Sequence, residues 1–307
     1  MMTAEGKTER EIARYLNRNP STISRELLRN GCLEDFLNYL PHQAQEQAVI
    51  RNRESHRRKR LKDERIRRYV RYKLLMKWSP ELIAGRLQLE DPDLKISHEA
   101  IYQWIYKDAP EYRDYLVRGR RRRMPRRYSS KRKKHHIPCR VGIENRPLEV
   151  EGREEAGHWE VDTVGADNYD STLHVMTERK TRYSLVTKLE KNSAIEVRSA
   201  MIHRLATTPR FLTKTFTYDN GPENCGHILV NTKLGSRSYF CRPYHSWERG
   251  TVENTIGLIR RFFPKKTKFE KVSYEQVKKV EEWLNRRPRK CLDFKTPLEV
   301  YRGQCCT

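Results

Sequence analysis

Three acidic residues, Asp162, Asp219 and Glu253, stand where the pattern of the chain places groups able to do chemistry. Segment 158–164, His-Trp-Glu-Val-Asp-Thr-Val, alternates as a strand does, with Trp159, Val161 and Thr163 on one face. Glu160 and Asp162 then share the other face, two residues apart and pointing the same way. Asp219 follows the apolar, strand-like run 211–218 and opens Asp-Asn-Gly, a turn signature. The carboxyl ends of strands are where open α/β sheets place ligands. Glu253 lies within a helical segment, 247–263, one turn after Arg249. In-line displacement at phosphorus suits such groups, because two hard cations roughly 3.5–4 Å apart can activate the attacking oxygen and stabilise the leaving one. Carboxylates suit Mg²⁺, whereas thiols and imidazoles select softer metals. With 40 acidic residues in the chain, a salt bridge or a helix cap is the competing reading for any one of them. Glu160, Glu223 and Glu248 are rival carboxylates; Glu248 sits about 140° round the helix from Glu253, so the two do not easily address one ion.

Positioning these groups requires a sheet with helices. Beyond 158–164, segments 173–177 and 183–188 read as neighbouring strands joined by a charged turn, and Tyr239-Phe240 as a short edge piece. Segment 193–205 reads as a helix capped by Ser193, with Ile195, Met201, Ile202 and Leu205 as its buried side. Before about residue 150 the pattern is helical instead. Segment 8–30 has the form of a helix-turn-helix: Ile12, Ala13 and Leu16 make one stripe, and Asn19 caps a second helix with Pro20 at its first position. Ile23 and Leu27 face inward there, leaving Thr22, Arg25 and Arg29 outward as DNA-contacting candidates. A second such unit spans 79–106: Ser79 caps one helix, with Leu82, Ile83 and Leu87 on one face. Ser97 caps the next, with Ala100, Ile101, Trp104 and Ile105 as its stripe. It is either a DNA-binding module or a structural bridge. Segment 51–73 reads as one basic helix able to lie along phosphates.

Lys and Arg number 64 against 40 Asp and Glu, a net charge of +24, which favours a polyanionic partner. Within 118–134, 11 of 17 residues are basic and none is acidic. Arg118, Arg120, Arg121, Arg122, Arg123, Lys131, Arg132, Lys133 and Lys134 are the phosphate-binding candidates of this linker. The seven cysteines form no C-x-x-C pair, and His135, His136 and Cys139 make only a weak zinc signal. No membrane span or signal peptide is readable, and a reducing, intracellular compartment fits. The expected layout is therefore a helix-turn-helix module (1–50), a basic helix with a second such module (51–117), a basic linker (118–149) and a catalytic domain (150–307).

Longer motifs carry a resemblance. Gly157 to Thr163, Thr217-Tyr218-Asp219-Asn220-Gly221, and the block from Tyr244 to Asn254 containing Trp247-Glu248-Arg249-Gly250 and Glu253-Asn254 are similar to the catalytic signature of the insertion-sequence-thirty family of DDE transposases. So are Asn285-Arg286-Arg287-Pro288-Arg289-Lys290 downstream and Pro20 to Glu26 upstream, and the match covers most of the chain. The resemblance implies a multidomain protein: an all-α helix-turn-helix N-terminal region, then an α/β RNase H-like catalytic domain with a mixed sheet. It implies Asp162, Asp219 and Glu253 as the catalytic, metal-binding triad. Val161, Asn224, Val252 and Ile256 depart from the family pattern. Glu160, His245, Trp247 and Asn254 are expected to support the site, and Arg249 to hold a DNA phosphate or pair with Glu253.

The implied activity is Mg²⁺-dependent cleavage and strand transfer at the inverted-repeat ends of an insertion element, with Mn²⁺ as a substitute and no nucleotide cofactor, since no Gly-x-x-x-x-Gly-Lys loop is present. Double-stranded DNA and further copies of the chain in a synaptic complex are the expected partners, and a cytoplasmic, nucleoid-associated location in a prokaryotic cell is expected. Two alternatives remain: a DNA-binding regulator derived from an inactive transposase, and a nuclease that does not join. The short stretch ahead of residue 8 also leads to the expectation that the first helical unit has little to pack against, unless Leu37, Leu40 or the later helices cover it, and is loosely folded, as in an N-terminally incomplete protein.

Overall fold

The structure, a computed structural model, describes residues 7–30, 39–56, 61, 63–116, 137–165, 171–243 and 245–305. It divides into two compact units, one ending at Glu64 and the other beginning at Arg65.

The first unit holds three helices: α1 (Glu9–Tyr15), α2 (Pro20–Asn30) and α3 (Pro41–His56). Thr8 starts α1 through a capping box with Glu11. Ile12, Ala13 and Leu27 are buried, but Leu16, expected inside, is 51% exposed and Ile23 is half-buried. The third packing element comes from downstream: Ala44 of α3 is buried, Arg51 donates to Asn30 at 2.7 Å, and the Tyr39 hydroxyl to Glu26 at 3.2 Å. A later helix thus lies beside the hairpin, the alternative the sequence left open to a unit with little to pack against. Thr22, Arg25 and Arg29 are exposed on α2. The basic helix expected over 51–73 is two helices, divided between the units.

The second unit takes in α4 (Glu64–Leu75) from Arg65 onward, then α5 (Pro80–Glu90) and α6 (His98–Lys107). Ser97 caps α6 through its hydroxyl, whereas Ser79 occupies the corresponding position on α5 without a side-chain hydrogen bond. Leu82, Ile83, Leu87, Ile101, Trp104 and Ile105 form the core of this hairpin. Its outer side is engaged too: a Cβ on Gly85 would meet the Phe294 ring at 2.4 Å, and Arg86 pairs with Glu299 at 2.7 Å. This hairpin is a docked part of the second unit.

After the short α7 (Glu149–Gly152) comes a five-stranded mixed sheet: β1 (His158–Val164), β2 (Thr172–Glu178), β3 (Ser184–Leu189), β4 (Thr215–Tyr218) and β5 (Arg237–Phe240), in the order β3-β2-β1-β4-β5. β2 runs antiparallel to both β1 and β3, while β4 is parallel to β1 and to β5. Gly157, at φ +106°, lets the chain enter β1 against the Phe211 carbonyl, where a Cβ would stand 2.5 Å away. Trp159, Val161 and Phe216 pack on one face with Val197, Met201 and Leu205 of α8 (Ala194–Leu205) and Val230 of α9 (His227–Leu234). Ile195, expected inside, is 62% exposed, and Ile202 is half-buried. The other face buries Val164, Val175 and Val186 under α10 (Gly250–Ile259) and α11 (Tyr274–Arg286), and α12 (Pro297–Cys305) closes the chain. A helical front with a mixed α/β sheet of RNase H-like order is the fold class expected from the sequence. No described helix is long and apolar enough to cross a membrane.

Candidate active site

Parallel pairing of β1 with β4 brings two of the expected carboxylates together. Glu160 pairs in register with Thr217, so two steps further along both strands Asp162 and Asp219 come level at the carboxyl ends. Asp219 is fixed by its own turn: Oδ1 accepts from the Gly221 amide at 3.1 Å and from the Asn224 side-chain amide at 2.7 Å. Asn224, one of the departures from the family pattern, is buried and acts here as the orienting donor. Asp162 Oδ1 accepts from the Thr163 amide at 2.8 Å.

Between these carboxylates lies a cation from the chain itself. Arg249 Nη1 stands 3.4 Å from Asp162 Oδ1, and Nη2 stands 3.7 Å from Asp219 Oδ2. Nη1 also donates to the Val161 carbonyl at 2.6 Å. Burial pushes the Asp162 carboxyl above its ordinary pKa; the Arg249 charge opposes that shift and the Asp219 charge adds to it. For Arg249, burial works against the charged form, but the two aspartates outweigh it and the pKa is raised. The expectation that Arg249 holds a DNA phosphate or pairs with Glu253 is therefore redirected: the residue is 7% exposed and turned inward onto the aspartates.

Glu253 is exposed on α10, one turn after Arg249. Among the described residues no three His, Cys, Asp or Glu side chains are grouped closely enough to hold a metal ion, so Glu253 is not gathered with the aspartates. The two aspartates by themselves are donors of the kind a Mg²⁺-type ion takes, since it uses one or two protein carboxylates and completes its shell with water and phosphate; Arg249 holds the place between them.

Glu160 does something other than back up Asp162 at a metal. Its carboxylate is buried and accepts from the Thr251 and Val252 amides at 2.8 and 2.9 Å, the first turn of α10. Arg179 donates to its other oxygen at 3.0 Å, and is itself tied to Glu151, which also pairs with Arg146. A negative group at a helix N-terminus satisfies open amides and the helix dipole. Glu160 thus anchors the helix that carries Glu253. Sequence reasoning missed this partnership, and Asn224 was noted only as a departure. Glu248 is occupied in its own loop, accepting from the Arg242 amide at 2.9 Å.

The His245 and Trp247 rings touch at a tilt of 54°, centroids 4.4 Å apart, on the loop leading to Arg249, and Trp247 is 68% exposed. Asn254 is exposed on α10. The basic candidates from Arg118 to Lys134 lie outside the described residues.

The helical front and the mixed sheet with two aspartates level on neighbouring strands can be set beside known proteins. Residues 1–30 match the model of a helix-turn-helix domain. Over 98% of this chain and 92% of the relative's length, the sequence is 38% identical to the transposase for insertion sequence element IS4351 of Bacteroides fragilis. It is 37% identical to transposase InsI for insertion sequence element IS30A of Escherichia coli (strain K12), over 97% of this chain and 80% of that one. The catalytic core domain of BIV integrase aligns with 48% of this chain and 95% of its own at 16% identity, with a TM-score of 0.38. The chain belongs to the IS30 family of insertion-sequence transposases.

Proposed function

We propose that this transposase binds the inverted-repeat ends of an insertion element and cuts and joins DNA through Asp162, Asp219 and Glu253. The observation that carries this reading is the Asp162–Asp219 pair facing one cation at the carboxyl ends of two parallel neighbouring strands, in a chain of this family. Asp162, Asp219 and Glu253 would hold Mg²⁺, or Mn²⁺ in its place, which when bound polarises phosphoryl oxygens and lowers the pKa of coordinated water. The chain's own residues prepare the site. Asn224 and the Gly221 amide aim Asp219, the Thr163 amide orients Asp162, and Glu160 fixes the first turn of α10. Water is the first nucleophile and a DNA 3′-hydroxyl the second. Thr22, Arg25 and Arg29 on α2 read the element ends, with the basic 118–134 segment adding phosphate contacts. Two ends must be held at once, so the working form is a homo-oligomer on nucleoid DNA.

Labelled element ends incubated with target DNA and Mg²⁺ test the reading. Joined molecules that depend on the divalent ion are expected. Hydrolysed ends alone, under any metal, would assign the protein to the nucleases, and binding without cleavage would make it a regulator.

A further inference from the structure

Arg249 is buried between two carboxylates without closing onto either of them. Its one short hydrogen bond goes to the backbone carbonyl of Val161, at 2.6 Å. Its distances to Asp162 and Asp219, 3.4 and 3.7 Å, exceed the about 2.7–2.9 Å of a charge-assisted hydrogen bond. Nε is buried without an acceptor. A permanent structural pair would close into a two-pronged clamp on one carboxylate. This guanidinium instead spans two carboxylates loosely, while its tether is a main-chain oxygen; the unpaired Nε it shares with the other buried arginines. Without any cation, two carboxylates held level on adjacent strands repel one another. With a guanidinium between them, a divalent ion meets an occupied place.

We infer that Arg249 is a resident counter-cation that holds Asp162 and Asp219 together before a divalent ion binds and has to withdraw for the ion to enter. The inference rests on the reading of those aspartates as metal-binding groups. Arg249 is the N-cap residue of α10, so its withdrawal pulls at the helix carrying Glu253. Glu160 keeps that helix seated independently, through the Thr251 and Val252 amides. The helix therefore stays docked while the arginine side chain moves. A site that is metal-competent only when Arg249 has left binds metal more weakly by the fraction of time it is open. Arg249 is thus a positioning residue that sets how readily the site loads.

The test uses the full-length protein without DNA, titrated with Mg²⁺ by calorimetry and melted with and without the ion. Parent, Arg249→Gln, Arg249→Lys and Asp162→Asn are compared. Arg249→Gln is expected to melt lower than the parent in chelator, to recover more on adding Mg²⁺, and to bind Mg²⁺ at least about tenfold more tightly, as removal of a competing state requires. Arg249→Lys keeps the charge without the two-pronged reach and is expected to fall between; it decides the matter alone if Arg249→Gln does not fold, with unchanged affinity counting against the inference. If Arg249→Gln binds no more tightly than the parent while Asp162→Asn has lost the ion, the counter-cation falls and the carboxylate site stands. If the parent shows no binding that Asp162→Asn removes, the carboxylate reading falls and takes this inference with it.

Discussion

On one face of β1 the two halves of the strand treat their carboxylates in opposite ways. Toward the amino end, Glu160 is saturated by two helix amides and an arginine. On the opposite face Glu178, level with Trp159 on β2, is saturated likewise, accepting from the Gly157, His158 and Thr181 amides and from the Thr181 hydroxyl. Both are essentially sealed from water. At the carboxyl end Asp162 and Asp219 keep side chains 20% and 34% exposed and share a loosely held guanidinium. A buried carboxylate whose lone pairs are all used is part of the framework; one that is partly open and under-coordinated is available to a ligand. Two residues of separation on one strand face are enough to divide structure from chemistry.

The sharpest way to break this contrast is at its structural end. Removing Glu160 as Glu160→Ala leaves Arg179 buried without its main partner, a loss of about 3–5 kcal/mol. A fall in melting temperature of order 10 °C is expected by differential scanning calorimetry, with Glu253 activity lost as a consequence of unseating α10. An Asp162→Asn protein melting as low as Glu160→Ala would erase the distinction.

His174 extends the contrast to a group that is sealed and unsatisfied. It is fully buried in β2, both ring nitrogens lack partners, and burial pushes its pKa down to about 4. His158 is lowered to about 4 as well, chiefly by burial and then by the Lys214 charge. Because the folded values lie below the unfolded 6.5, the stability present above that pH is lost as pH falls toward 4. His174→Leu is expected to remove an unsatisfied buried polar group, a gain of about 1–3 kcal/mol, and to flatten the acid limb of a plot of melting temperature against pH. His158 and His227, both also lowered chiefly by burial, and the lowered carboxylates such as Glu151 and Glu299 keep part of the slope.

In the first unit the polar groups point outward, so the effect moves from stability to binding. Arg25→Ala is expected to weaken binding to the element ends by about 1–3 kcal/mol while leaving the melting temperature within experimental scatter, measured by fluorescence anisotropy beside calorimetry. The covering helix α3 is the reason to expect a full-sized effect there. The smallest change is Asn224→Ala, which deletes one hydrogen bond to Asp219, worth about 1 kcal/mol, and is expected to slow joining roughly five- to tenfold without changing DNA affinity.

Much of this was legible in the sequence where the signal is local. Alternation gave β1 its bounds, Ser193 and Ser97 marked helix starts, and Asp219 sat on a turn after a strand. What was not legible depends on distant chain segments. The amide partners of Glu160 lie 91 and 92 residues away, and Arg249 reaches Val161 across 88. Apolar identity also failed to say which side of a helix is covered: Leu16 and Ile195 face outward because their neighbours do the packing. The 79–106 hairpin carries the same cap-and-proline signature as the first, yet Phe294 and Glu299 hold its outer side. Nothing local distinguishes a hairpin that is docked from one that is free.

The most direct measurement of the central claim is a strand-joining assay on Asp162→Asn, Asp219→Asn and Glu253→Gln, each first shown to fold and to bind element ends as the parent does. These changes keep shape and remove the charge that holds a cation, so cleaved and joined products are expected to disappear in all three, and Glu248→Gln to remain active. Substantial joining by Asp219→Asn at a Mg²⁺ concentration that supports the parent would contradict the assignment of the site.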